Sequence, residues 1–136
     1  MDRIVASEQA YIPNTAILQT TLTDQTGASI RITDFVPRFR QYDRIFRPGM
    51  LFRRIEPVSG LARIRIRIRP RFNYGAVVPT RTVGSNHIRY VAPDNTLRVT
   101  TDGSMVEVAP SASVMSPVAV SRIAYTGACG PCALVM

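Results

Sequence analysis

Residues 62–75 read Ala62-Arg63-Ile64-Arg65-Ile66-Arg67-Ile68-Arg69-Pro70-Arg71-Phe72-Asn73-Tyr74-Gly75. Arginine and isoleucine alternate with period two. A β-strand sends successive side chains to opposite faces, so Ile64, Ile66 and Ile68 share one face and Arg63, Arg65, Arg67 and Arg69 the other. A helix would scatter both types around its axis. Isoleucine is β-branched and suits a pleated, half-buried surface. Pro70 removes a ladder donor, so the strand bends or meets a sheet edge there.

The same logic extends in both directions. Ala16 to Thr23 reads as a strand, Asp24-Gln25-Thr26-Gly27 as a tight loop with glycine at a left-handed position, and Ser29 to Phe35 as the return strand with Ile30 and Ile32 inward. Val36 to Gly49 carries two prolines (Pro37, Pro48) and the charges Arg38, Arg40, Asp43, Arg44 and Arg47, and reads as a long exposed loop. Met50 to Pro57 is the next strand, and Val58-Ser59-Gly60 turns it into the Arg/Ile strand as a second hairpin. Thr80 to Val83 is a weak strand. His87 to Ala92 and Thr96 to Thr101 follow, and Asp102-Gly103 reads as a hairpin turn into Met105 to Val108. About seven or eight short strands at roughly 8–12-residue spacing, separated by turn signals, predict an all-β fold: a hairpin-rich antiparallel β-sandwich, or most of one. The expected organisation is a lead-in over 1–15, the sandwich over 16–108, and a linker and irregular tail over 109–136, where only Arg122 is charged.

The chain has 136 residues, 46% of them apolar, enough for one ordinary core. Its formal charge is +8. All 17 basic residues are arginine and none is lysine. A surface selected for phosphate would normally include lysine, a good point-charge ligand. The bias therefore points to codon usage more than to a built polyanion site. The start of the chain has no long apolar stretch resembling a secretory signal, and no apolar run approaches the roughly 18 residues of a membrane span. The expected location is cytoplasmic, with no membrane partner.

Five stretches carry a family resemblance: Tyr11 to Leu18 (YIPNTAIL), Ile32 to Phe39 (ITDFVPRF), Phe46 to Arg54 (FRPGMLFRR), Arg69 to Gly75 (RPRFNYG) and Gly84 to Tyr90 (GSNHIRY). In this order and spacing they resemble the N-terminal domain of bacterial glycoside hydrolases of family fifteen, the glucoamylase and trehalase type. The resemblance covers residues 11–108, roughly three quarters of the chain. It implies a large antiparallel β-sandwich that packs on an α/α-barrel catalytic domain. In that family two glutamates on the barrel hydrolyse α-glucosidic bonds of glucans or trehalose with inversion, which needs a carboxylic acid and a carboxylate about 6.5–9.5 Å apart. The chain departs from the family pattern by lacking an Asp-Trp-rich segment before Tyr11 and any barrel after Val108. Its glutamates, Glu8, Glu56 and Glu107, match no catalytic motif, so no catalytic residue, cofactor or metal ligand is carried over. The expectation is an architectural domain, inactive alone, whose barrel partner is missing from this chain.

The remaining candidates divide between chemistry and structure. The arginine face of residues 63–69 spans roughly 20 Å. It could follow a nucleic-acid backbone or another polyanion, with Phe72, Tyr74 or Tyr90 stacking bases. Set against the absence of lysine, the favoured reading is a solvated face or one docked on a second domain, with nucleic acid not expected as a partner. Cys129-Gly130-Pro131-Cys132 spells a redox dithiol, but only Ala133 to Met136 follow, too few for the helix whose N-terminus lowers the first thiol's pKa. The pair is also half of a four-ligand zinc site, which His87 alone cannot complete. His87, the only histidine, lacks a legible orienting partner and reads as structural. Asp34 falls on the apolar side of its strand and must be paired there, with Arg53 or Arg71 as the expected partner.

Overall fold

The computed structural model describes residues 3–60, 63–102, 105–108, 111–117, 121–127 and 132–133, with side chains described for 3–60, 64, 66 and 68–102. The strands are β1 (Ile4–Tyr11), β2 (Leu18–Asp24), β3 (Ser29–Phe35), β4 (Phe39–Gln41), β5 (Arg44–Phe46), β6 (Met50–Ser59), β7 (Arg63–Ile68), β8 (Arg71–Phe72), β9 (Thr80–Val83), β10 (His87–Val91), β11 (Thr96–Thr101), β12 (Met105–Val108), β13 (Ser111–Pro117), β14 (Ser121–Gly127) and β15 (Cys132–Ala133). A single 3-10 turn, Asn73–Gly75, is the one helical element among the described residues. The fold is all-β and antiparallel. The large sheet has eight strands in the order β1-β2-β3-β6-β14-β11-β10-β9, and a second sheet has the order β12-β13-β7. Two small pairs, β4–β5 and β8–β15, complete it.

One apolar core lies between the two larger sheets. The eight-stranded sheet contributes Ile30, Ile55, Ile88, Tyr90, Leu97 and Val99, and the β7–β8 segment contributes Ile64, Ile68 and Phe72. Ile66 packs against the same cluster, so the isoleucine face of β7 points inward as its alternation requires. The Tyr90 hydroxyl donates to the Ile68 carbonyl at 3.2 Å and ties the layers. That bond lets a phenol be buried without an orphaned hydroxyl.

The Arg/Ile strand does not pair with the strand before it. β6 is flanked by β3 (Ile32 opposite Ile55) and by β14 (Ile123 opposite Arg53), so both its backbone edges are occupied. β7 lies in the other sheet and pairs with β13. Gly60, at φ +66, leaves β6 in a backbone conformation that an L side chain rarely adopts. The expected second hairpin is therefore a connection between sheets. The same holds at residues 102–103, where Gly103 lies outside the described residues: β11 belongs to the large sheet and β12 to the small one. A turn signal marks where the chain reverses but not which edge is open to receive it.

Three further stretches differ from expectation. Residues 4–11 of the lead-in form β1, carried to β2 through a turn in which Ile12 donates to Ile17 at 2.9 Å and Asn14 takes φ 59. The exposed loop of residues 36–49 contains the β4–β5 hairpin, with Tyr42 and Asp43 at φ 48 and 58 supplying a turn of the primed type in place of Asn-Gly. Within residues 109–136, β13 sits between β12 and β7, and β14 between β6 and β11. These strands lack clean alternation in sequence, and partner strands on both sides define them.

The β2–β3 loop forms as its residues predict. Asp24 Oδ1 accepts from the Thr26 N–H at 2.8 Å, the Thr26 hydroxyl at 2.6 Å and the Ala28 N–H at 3.1 Å, while Gly27 takes φ 83. The Thr26 hydroxyl, followed by the two backbone donors, holds the Asp24 carboxyl below its usual pKa against the opposing effect of burial. A depressed pKa contributes stability above the unfolded-state value, and this is lost as pH falls through the folded value. Asp24→Asn is therefore expected to be less stable than wild type at neutral pH, with the gap narrowing below about pH 4. Urea midpoints of both proteins across that range measure it.

Candidate interaction surface

The β4–β5 arm carries a group of exposed apolar side chains. It rises between β3 and β6, neighbours in the large sheet, and its root is marked by Phe35 and Phe52, paired in register with ring centroids 5.5 Å apart. Further out, Phe39 and Phe46 oppose each other in the β4–β5 ladder and stack at 5.1 Å. They remain 46% and 52% exposed. Ile45 is 57% and Tyr42, at the tip, 91% exposed. Arg38, Arg40, Arg44 and Arg47 surround these residues and are exposed as well, with Asp43 as the acid of the arm. Stacked rings half in water leave apolar surface that a partner would cover at a gain of about 25 cal/mol per Å².

The predicted ion pair is present. Arg53 Nε donates to Asp34 Oδ1 at 2.7 Å and Nη2 to Oδ2 at 2.6 Å, a two-pronged pair with side-chain exposures of 13% and 15%. Register sets Asp34 directly opposite Arg53, whereas Arg71 is exposed on β8. The fork geometry suits guanidinium and carboxylate. The pair neutralises a carboxylate on the core-facing side of β3.

The residues considered for polyanion binding are dispersed. Phe72 is 1% and Tyr90 5% exposed, so neither ring is open to a base, which corrects both as stacking candidates. Burial raises the Tyr90 pKa, opposed by the Arg81 charge. Tyr74 is 89% exposed, held at φ 54 in the 3-10 turn. Along β7 the side chains of Arg63, Arg65 and Arg67 lie outside the described residues. In the ladder these three positions oppose Pro117, Met115 and Ser113, so no like charge faces them on β13. Arg69 is exposed. The large sheet's outer face carries Arg31, Arg54, Arg89 and Arg98. No single stretch of sequence marks this set, because its members come from four strands whose adjacency only the sheet order reveals. Arg54 pairs with Glu56 at 2.7 Å, and Arg89 stands directly opposite Arg98.

His87 lies on β10, its side chain partly exposed. Its imidazole lies over Gly84, leaving no room for a Cβ there, and Nδ1 is 3.2 Å from Asn86 Oδ1. Cys129 lies outside the described residues, and Cys132 is defined only as the β15 position paired with Phe72. Glu8 is exposed on β1, and Glu107 is a β12 position opposite Ala112. Among the described residues no group of three or more histidine, cysteine or acidic side chains could hold a metal ion, and no helix is long and apolar enough to cross a membrane.

Comparison with known proteins gives no assignment: no protein-family model, curated protein or solved structure matches the chain.

Removing one partner of the Asp34–Arg53 pair leaves the other charge mostly buried. Arg53→Met is expected to cost about 2–3 kcal/mol, and Asp34→Leu combined with Arg53→Met to recover most of it. A double-mutant cycle by guanidinium denaturation measures both.

Proposed function

We propose that this chain is the non-catalytic N-terminal β-sandwich domain of a family-fifteen-like glycoside hydrolase of the glucoamylase or trehalase type, and that it packs on an α/α-barrel catalytic domain through the β4–β5 arm. The observation that carries the reading is the arm itself, with its stacked and half-exposed Phe39 and Phe46. Two of the five resembling stretches, Ile32 to Phe39 and Phe46 to Arg54, form its roots and its stacked ring pair. The other features of the domain suit support more than chemistry. The Asp34 and Glu56 carboxylates are paired with arginines, and Asp24 closes a turn. In the whole enzyme the barrel supplies the acid and base that cleave α-glucosidic bonds, and this domain supplies a rigid platform for it.

The reading is tested with a family-fifteen catalytic barrel expressed without its own N-terminal domain. The pure chain is expected to release no glucose from maltooligosaccharides or trehalose. Added to the barrel, it is expected to bind and raise the barrel's melting temperature, and Phe46→Asp to weaken that binding roughly tenfold or more with the strand circular dichroism unchanged. Glucose release by the chain alone, or indifference of several such barrels to it, overturns the proposal.

A further inference from the structure

The two edges of the eight-stranded sheet are built differently. β9 is four residues long, follows Pro79 and carries Arg81. β1 is twice as long, Ile4–Tyr11, and every one of its residues is exposed. Its sequence IVASEQAY has one charge, Glu8, and neither lysine nor proline. Open edges are usually blunted by shortness, charge, proline or a bulge, because unpaired backbone groups template further strands. β1 has only two such devices, the single charge of Glu8 and a bulge between Ile4 and Ala6.

The ladder shows which groups of β1 face outward. Ile12 donates to Ile17, and Tyr11 stands opposite Leu18. Hydrogen-bonded and non-hydrogen-bonded pairs alternate in an antiparallel ladder. Ala10, Glu8 and Ala6 therefore bond toward β2, and the N–H and C=O groups of Tyr11, Gln9 and Ser7 point away from the sheet. Beyond the bulge the alternation has shifted: the Arg3 carbonyl accepts from Gln25 at 3.2 Å and so faces β2. The regular open ladder is Ser7 to Tyr11.

We infer that this edge joins two copies of the chain, β1 to β1 and antiparallel, about a two-fold axis through Gln9. An axis perpendicular to the sheet keeps both copies' faces aligned, so odd residues meet odd residues. An axis at Glu8 sets two carboxylates directly opposite, which is unfavourable. An axis at Ser7 matches Gln9 with Val5, inside the bulge. An axis at Gln9 pairs Ser7 with Tyr11 of the second copy, Gln9 with Gln9, and Glu8 with Ala10. It uses the whole open ladder and opposes no like charges. The Gln9 side chain is held in place by its bond to the Thr20 hydroxyl at 2.9 Å. The exposed Tyr11 ring lies over the second copy's Ser7 at each end.

The inference is tested by sedimentation equilibrium of the full chain from micromolar to millimolar concentration. A monomer–dimer equilibrium is expected. Gln9→Pro removes an N–H that faces outward and is expected to give a monomer with β1 still paired to β2. Ala10→Lys places a cation opposite Glu8 twice per dimer and is expected to tighten association on the order of threefold to tenfold, while Ala10→Glu weakens it comparably. A chain monomeric at every concentration, which would leave β1 to an unrelated strand, overturns the inference. So does an undiminished dimer of Gln9→Pro, or equal dissociation constants for Ala10→Lys and Ala10→Glu.

Discussion

The fold depends on the burial of one face of β7. Ile64 and Ile68 are under 10% exposed and lie against a core built from Ile30, Ile55, Ile88 and Val99 of the facing sheet. A strand whose other face bears arginines has one way to satisfy both sides: isoleucines against another sheet, arginines away from it. Fully burying a side chain of this size stabilises by about 1.5–3 kcal/mol, so the β7 face is a major share of a marginal total. The Tyr90–Ile68 hydrogen bond fixes how the two layers face each other.

This constraint explains why strands adjacent in sequence separate. β6 fills its hydrogen-bonding edges with β3 and β14, and β7 crosses to the other layer, where β13 receives it. A sandwich built this way takes strands from both ends of the chain, with β14 placed between β6 and β11. Long-range pairing of that kind gives up more chain entropy before contacts form than hairpins do, and it folds more slowly.

Both proposed contacts are places where the architecture leaves something uncovered. The arm exists because β3 and β6 are sheet neighbours, so the residues joining them are free to project, and it projects with phenylalanines outward. The β1 edge is open because the sheet ends there with a long, nearly uncharged strand. One contact would be made by apolar side chains and the other by backbone groups, so they do not compete.

The sequence by itself determined most of the strands between residues 16 and 108, which face of most of them is apolar, and where the chain turns. Alternation, β-branching and turn residues are local properties that act over a few residues. Thr96–Thr101 and Ser29–Phe35 were legible to the residue for that reason, as was the Asp24 turn. The Asp34–Arg53 pair was legible in part, since a carboxylate on an apolar face must find a cation, though the choice of Arg53 over Arg71 needed the register of β3 on β6. The family resemblance supplied the expected function, and the arm supplied a surface for it. Only the tertiary structure decided which edges meet, that Phe72 and Tyr90 are core rather than surface, that residues 4–11, 111–117 and 121–127 are strands, and which arginines share the outer face. Edge pairing is set by competition among all strands for open backbone groups, and that competition is not written in any short stretch of the chain.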